Sequence, residues 1–289
     1  MKRLLSILLV LSTAAAATNA MAQRSRVENL VMHSDVLNAD KTFTVYLPEG
    51  YDNSDRRYPT LYLLHGAWGC NTDWTEKGNA KTIADEAIAS GRALPMIIVM
   101  PDARGQDANY AGKNMGYFNL PGWAYEDYFF REFIPYIDKT FRTRAEKRYR
   151  AISGLSMGGG GTAVYAERHP DIFASACPLS GLLDDPLGTT SSVIRFEEFV
   201  RAAQQTNPTE FIKNASPAQI AALGSVRWLI DCGDDDYLFD GNISMILAMR
   251  AAKIPVEVRI RNGAHNWVYW QTALPTVLQF ISTGFAADR

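Results

Sequence analysis

Hydrophobic positions along the chain recur with two periods that take turns. Short apolar or β-branched runs at residues 42–47, 60–64, 96–100, 149–153, 173–179, 226–231 and 256–261 read as strands. Between and after them, residues 80–89, 125–141, 157–168, 242–252 and 268–284 carry helix-compatible spacing. Pro135 lies inside the second of these and should cap or kink it. Strands alternating with helices predict an α/β fold with a mostly parallel central sheet and helices on both faces. The run at 42–47, closely followed by another strand, predicts an antiparallel edge.

The rhythm breaks twice. Residues 182–223 hold polar turn residues and weak helices between two core strands, and a connection of that length is either a lid over a site or a surface excursion. At the other end, Lys2 and Arg3 precede an apolar stretch from Leu4 to Leu11, and Ala20-Met21-Ala22 follows. That is the layout of a signal peptide covering residues 1–22, cut before Gln23. The apolar run is shorter than the ~20 residues that span a bilayer, so no membrane anchor is expected. No cysteine lies near the cut, so no lipid is expected there either. The remaining residues, 23–289, read as one catalytic domain carrying the 182–223 insertion, and the protein is expected to be secreted or periplasmic.

Composition narrows the classes. With 47% hydrophobic and 21% charged residues the chain has the make-up of a globular protein with a sizeable core. A net charge of -2, without a run of Lys and Arg, gives no nucleic-acid partner. Cys70, Cys177 and Cys232 are an odd number for an exported chain, and the last two sit in or beside strand-like runs, so no structural disulfide is expected.

The chemistry begins at Gly154-Leu155-Ser156-Met157-Gly158, between a predicted strand and a predicted helix. A serine there sits on a sharp strand-to-helix turn with its hydroxyl presented above the sheet, which is the nucleophile elbow of the α/β-hydrolase fold. Side chains in place of Gly154 and Gly158 would strike the neighbouring strand and helix. Serine needs a base, and four histidines are available. His33 lies near the start, ahead of the core strands; His169 ends the elbow helix beside Pro170; and His65 precedes the serine. His265, in a loop after the last predicted strand, follows it, as the base does in this fold. The imidazole in turn needs a carboxylate, and Asp231-Cys232-Gly233-Asp234-Asp235-Asp236 supplies the candidates. The later acids have cleared the strand and are preferred, while the others should face solvent or cap the next helix. Clustered carboxylates also bind hard cations, but the alternating ligand spacing is missing, so no metal is assigned. Backbone N–H donors for a developing oxyanion should come from Met157, directly after the serine, and from Ala67 in the loop after an early strand, which His65 would shape.

Taken together these segments resemble the esterase D family, which includes feruloyl and acetylxylan esterases, S-formylglutathione hydrolases and mycolyltransferases. The resemblance runs from about Thr42 to Phe280. It rests on Tyr62-Leu63-Leu64-His65-Gly66, Glu132-Phe133-Ile134-Pro135-Tyr136-Ile137-Asp138, Ile152 to Gly159, His169-Pro170-Asp171-Ile172-Phe173 and His265-Asn266-Trp267. In the family pattern the acid stands three residues after the glycine of the Cys-Gly pair. This implies Asp236 as the acid beside Ser156 and His265, with Asp235 as the fallback. Gly160 stands where formylglutathione hydrolases carry a larger residue, which leans toward the feruloyl esterases. Trp68 stands where many relatives carry glycine, implying a differently shaped acyl pocket.

What the resemblance implies is a secreted serine carboxylic-ester hydrolase working through an acyl-enzyme. Its substrate would be a small-molecule or polysaccharide-linked ester carrying feruloyl or acetyl groups, and it would need neither metal nor organic cofactor. Two alternatives use the same scaffold: acyl transfer to a sugar acceptor, and a non-catalytic binding protein.

Overall fold

Arg26–Ser34 (β1) pairs along its whole length with Ala39–Leu47 (β2), from Arg26 opposite Leu47 to Ser34 opposite Ala39. This antiparallel ribbon is the edge of an eight-stranded sheet in the computed structural model, which describes residues 24–105, 116–184 and 206–287. The other strands are Thr60–Leu64 (β3), Ile97–Pro101 (β4), Arg150–Leu155 (β5), Ser175–Leu179 (β6), Arg227–Gly233 (β7) and Val256–Arg261 (β8). Their order across the sheet is β1-β2-β4-β3-β5-β6-β7-β8. β2 runs antiparallel to β4, and every later pairing is parallel. The predicted leader at residues 1–22 and half of the predicted 182–223 insertion, residues 185–205, lie outside the described residues; the described part of that insertion holds the short helices Pro208–Lys213 and Pro217–Leu223.

The central strands are buried on both faces because they alternate two apolar sets. Tyr62, Leu64, Val99, Ile152, Trp228 and Ile230 face one core, and Leu61, Leu63, Ile98, Ala151, Cys177 and Leu229 face the other. Met157–Arg168 (α5) and Phe239–Ala251 (α8) cover the first face through Ala163, Val164, Met245 and Met249. Ala80–Ala89 (α2) and Trp267–Ala286 (α9) cover the second through Ala84, Ala87, Leu274 and Val277. Removing such surface from water, at about 25 cal/mol per Å², is the main drive to this layering.

Three features differ from the sequence expectation. β1 was not predicted: its inward and outward positions alternate from Glu28 to Ser34, but Leu30, Val31 and Met32 are consecutive apolar residues, so the sequence shows no period of two. His33 therefore lies on this edge strand rather than ahead of the sheet, exposed, with Nδ1 2.8 Å from Asp40 Oδ1. The antiparallel edge exists, but it joins β1, β2 and β4, while β3 sits parallel between β4 and β5. Finally, residues 125–141 are not one α-helix. Tyr125–Tyr128 (α3) runs into a π-helical turn, Phe129–Phe133, and then into Ile134–Thr140 (α4). Pro135 has no N–H to donate to the preceding turn, and the wider π turn absorbs that missing bond.

Glu167 on α5 is buried and its Oε1 has no hydrogen-bond partner. Desolvation pushes its carboxyl well above the ordinary value near 4.5, and the opposing charge of Arg168 is the weaker influence. A pKa raised by folding stabilises the protein below the unfolded value and is lost as pH rises toward the folded one. Glu167→Gln should therefore be more stable than wild type at pH 8, by about 2 kcal/mol. The gap should close toward pH 4.5 in thermal melts, and an equal gap at both pH values would contradict this account.

Candidate active site

The parallel register brings the carboxyl ends of five strands to one rim. Leu64 is opposite Gly154, Leu155 opposite Leu179, Leu179 opposite Asp231, and Gly233 opposite Arg261. The loops leaving these ends carry His65–Gly69, Ser156, Ser180–Leu182, Asp234–Leu238 and Arg261–Asn266. In open α/β sheets ligands bind at this rim.

Ser156 has φ 56° and ψ -119°, a backbone conformation that costs about 1–3 kcal/mol in a residue with a Cβ. Its neighbours hold it there. The Ser156 N–H donates to Leu179 O at 3.0 Å, and the Ser156 carbonyl accepts from Gly160 N and Leu182 N at 3.1 and 3.0 Å. The turn closes only because glycine lies on either side. A Cβ at Gly154 would stand 2.5 Å from Gly158 O, and one at Gly158 would stand 2.5 Å from His65 O. The elbow motif thus has a steric cause in the β3–β5–α5 packing.

The imidazole of His265 lies over this serine. Its Nε2 is 2.9 Å from Ser156 Oγ, and its Nδ1 is 2.9 Å from both Oδ1 and Oδ2 of Asp236. With Nδ1–H donating to the carboxylate, Nε2 is left to accept the serine proton. Asp236 is buried, and its Oδ1 also accepts from Leu238 N at 2.8 Å. The candidates for the acid therefore separate by geometry. Asp235 is exposed. Asp231 stays inside β7, accepting from Tyr269 at 2.5 Å and from Arg261. Asp234 is neither a cap nor merely solvated: its Oδ1 accepts from Gly263 N at 2.9 Å, while Asp235 N donates to Gly263 O at 3.0 Å. Those two bonds tie the loop bearing His265 to the loop bearing Asp236.

On the other side of the serine, the loop after β3 is braced from beneath. His65 is buried; its Nδ1 donates to Gly66 O at 2.7 Å and its Nε2 accepts from Ala103 N at 2.9 Å. Both nitrogens are thus used by a neutral ring, and burial lowers its pKa, so its approach to Asp102 at 3.8 Å is not an ion pair. Tyr117 Oη donates to His65 O at 3.0 Å. Asp102, also buried, takes its charge compensation from Arg104, with Lys41 nearby. Desolvation brings the Lys41 ammonium down to about 8, and its Nζ donates to Arg104 O at 2.6 Å. A Cβ at Gly66 would come 3.4 Å from Ser156 Cβ, so this strip of backbone passes directly beside the nucleophile position, with Ala67 next in line. Met157 is the first residue of α5, and its N–H has no acceptor within the helix.

Other histidines are elsewhere. His169 ends α5, with Nε2 3.3 Å from Glu126 Oε1 and its ring stacked at 3.6 Å on Phe130. Three residues of the site have no signature in the sequence. Trp270 meets the His265 ring edge-on at 4.9 Å and donates from Nε1 to Ser180 Oγ. Tyr237 packs against the His265 ring at 4.4 Å. Asn242 is buried and exchanges bonds with Gly181, its Nδ2 donating to Gly181 O at 2.9 Å. The helical spacing of Trp267, Trp270 and Leu274 marks a buried stripe, but nothing along the chain says that the stripe touches His265. Among the described residues no cluster of three or more metal-ligating side chains occurs, and no helix is long and apolar enough to cross a membrane.

Residues 34–281 match the Esterase family. A curated endo-1,4-beta-xylanase/feruloyl esterase of Xylanibacter ruminicola is 31% identical over 260 residues, covering 88% of this chain and 31% of that protein. An esterase of Mycobacterium tuberculosis is 36% identical over 137 residues, 47% of this chain and 28% of its own length. The chain thus spans about a third of the length of these curated relatives. A solved ferulic acid esterase superposes with a TM-score of 0.84 at 39% identity, covering 91% of this chain and 99% of that one. An S-formylglutathione hydrolase from Agrobacterium tumefaciens shares the fold, with a TM-score of 0.73 at 19% identity over 92% of this chain and 97% of its own. On these matches and this sheet, the chain belongs to the Esterase family, the esterase D and feruloyl esterase-like proteins of the α/β-hydrolase fold.

Proposed function

We propose that this chain hydrolyses acyl esters of plant polysaccharides, feruloyl or acetyl, through an acyl-enzyme on Ser156. The observation that carries this reading is the unbroken line Ser156 Oγ, His265 Nε2, His265 Nδ1, Asp236, with every link at 2.9 Å. Ser156 Oγ attacks the ester carbonyl as His265 Nε2 takes its proton, and Asp236 stabilises the imidazolium that results. The carbonyl oxygen, now negative, receives the N–H groups of Ala67 and Met157. Each such donor is worth about 3 kcal/mol at the transition state. Collapse of the tetrahedral adduct breaks the bond to the alcohol oxygen, which leaves with the proton from His265. Water then attacks the acyl-serine by the same steps in reverse order, releasing the acid and restoring the serine.

The substrate class is supported by the matched relatives, two of which carry feruloyl or ferulic acid esterase in their names. Export is supported by the charged and apolar pattern of residues 2–22. A panel of feruloylated, acetylated and short-chain alkyl esters, with fluorophosphonate labelling alongside, checks the reading. The expected result is labelling at Ser156 and highest kcat/KM on a sugar-linked feruloyl or acetyl ester. A protein that neither labels nor turns over any ester would end it.

A further inference from the structure

Tyr237 follows Asp236 in the chain and reaches Ser156. Its backbone is fixed from both sides, because Asp236 N donates to Gly233 O at 3.3 Å and Leu238 N donates to Asp236 Oδ1 at 2.8 Å. From there its ring lies 4.4 Å from the His265 ring, tilted by 49°, and its phenol is hydrogen-bonded to the Ser156 hydroxyl. The side chain is 51% exposed, so burial does not account for a large aromatic residue here. It touches both the base and the reacting oxygen, and no step described above uses it.

The direction of its bond follows from counting. Ser156 Oγ has one proton and two lone pairs. The proton points to His265 Nε2, 2.9 Å away. The bond between the two hydroxyls then has one possible donor, the phenol O–H, which takes one lone pair of Oγ. The other lone pair is left to attack a carbonyl. Partial burial first, and the Asp236 carboxylate second, raise the phenol above its ordinary pKa near 10, so it stays protonated while His265 works as a base.

A donor on Oγ counts for more during the reaction than before it. The remaining lone pair of Oγ forms the bond to the carbonyl carbon, whose π pair moves to the carbonyl oxygen. The Oγ proton passes to His265 Nε2, and the electrons of that O–H bond stay on Oγ. Tyr237 keeps its own proton throughout. While the serine proton is in transit Oγ carries partial negative charge, and a hydrogen bond to a charged acceptor is about twice as strong as one to a neutral acceptor. Only that difference speeds the reaction. We propose that Tyr237 is a further catalytic residue, whose O–H fixes the direction of the Ser156 hydroxyl and stabilises the charge on Oγ as the serine becomes a nucleophile. This rests on the esterase reading above and deepens its first step.

Tyr237→Phe keeps the ring beside His265 and removes only the O–H. Two rates read the result: the second-order rate constant for a fluorophosphonate, which reports attack by Oγ with no alcohol to expel, and kcat/KM on the best ester. Both should fall about tenfold, the gain of a neutral hydrogen bond on becoming charge-assisted. The pH midpoints of both rates and the unfolding midpoint should stay at wild-type values, because the ring and Asp236 remain. If the ring merely steadied His265, Tyr237→Phe would match wild type and only Tyr237→Ala would lose activity, with its pH midpoint displaced. Rates of Tyr237→Phe within twofold of wild type in both assays overturn the proposal. So does a loss confined to the ester, which would place the phenol on the departing alcohol instead. Wild-type protein that takes up no fluorophosphonate and cleaves no ester overturns the esterase reading itself, so the two failures are distinct.

Discussion

Ser156→Ala is expected to lower kcat on the best ester by about 10⁵–10⁶-fold and to abolish fluorophosphonate labelling. The reason is local. Ser156 Oγ stands 2.9 Å from His265 Nε2 and carries the proton that the imidazole is placed to take. Alanine keeps the Cβ and so carries the same strain at φ 56°, and the bonds that hold the turn come from the backbone. Circular dichroism and the unfolding midpoint should therefore stay near wild type. The amides proposed for the oxyanion remain in place, so ester binding should persist, seen as a dissociation constant measured directly by titrating the inactive variant with the intact ester. Residual turnover within tenfold of wild type, after exclusion of contaminating esterase, would remove Ser156 from the mechanism.

Asp236→Asn is expected to cost about 10⁴-fold in kcat with a much smaller change in KM. Leu238 N donates to Oδ1 of this residue, and an asparagine would keep its carbonyl oxygen on that donor. Its amide NH2 would then face Nδ1 of His265, forcing the imidazole proton onto Nε2, where it blocks acceptance of the serine proton. Asp235→Asn is the matched control, because that side chain is exposed and its backbone N–H, not its carboxylate, holds Gly263. It should stay within about threefold of wild type, the range of a solvated charge acting through water. A reversal of the two effects would move the acid to Asp235 and require the loop to rearrange.

The chain order of the proposed serine, acid and base, and the loop that carries each, were legible without coordinates because each has a local cause. The elbow needs glycine where backbones nearly touch, so Gly154 and Gly158 appear as a motif. The base and acid lie just past strand ends, and strand ends are marked by apolar runs. Within the acidic run the residues themselves left several candidates, and only the family pattern pointed to Asp236. The reason is physical: which of three adjacent carboxylates turns inward is set by bonds to another loop. Asp234 is taken by Gly263 N, and Asp236 is drawn in by Leu238 N and His265. The edge strand β1 escaped notice because its apolar residues Leu30, Val31 and Met32 are consecutive and give no period of two, and its structure comes from the partner β2.

Periodicity and steric motif thus determined, from the residues alone, the layered α/β architecture, the nucleophile turn and the loop that bears His265. These depend on contacts between residues close in the chain, or on burial that any face of a sheet requires. The tertiary structure alone decided which bonds turn Asp236 inward to the imidazole, how His65 and its buried neighbours brace the loop beside Ser156, and that Trp270 and Tyr237 pack against the His265 ring. Those depend on parallel register between strands far apart in sequence, which brings five loops to one edge and which no local pattern encodes.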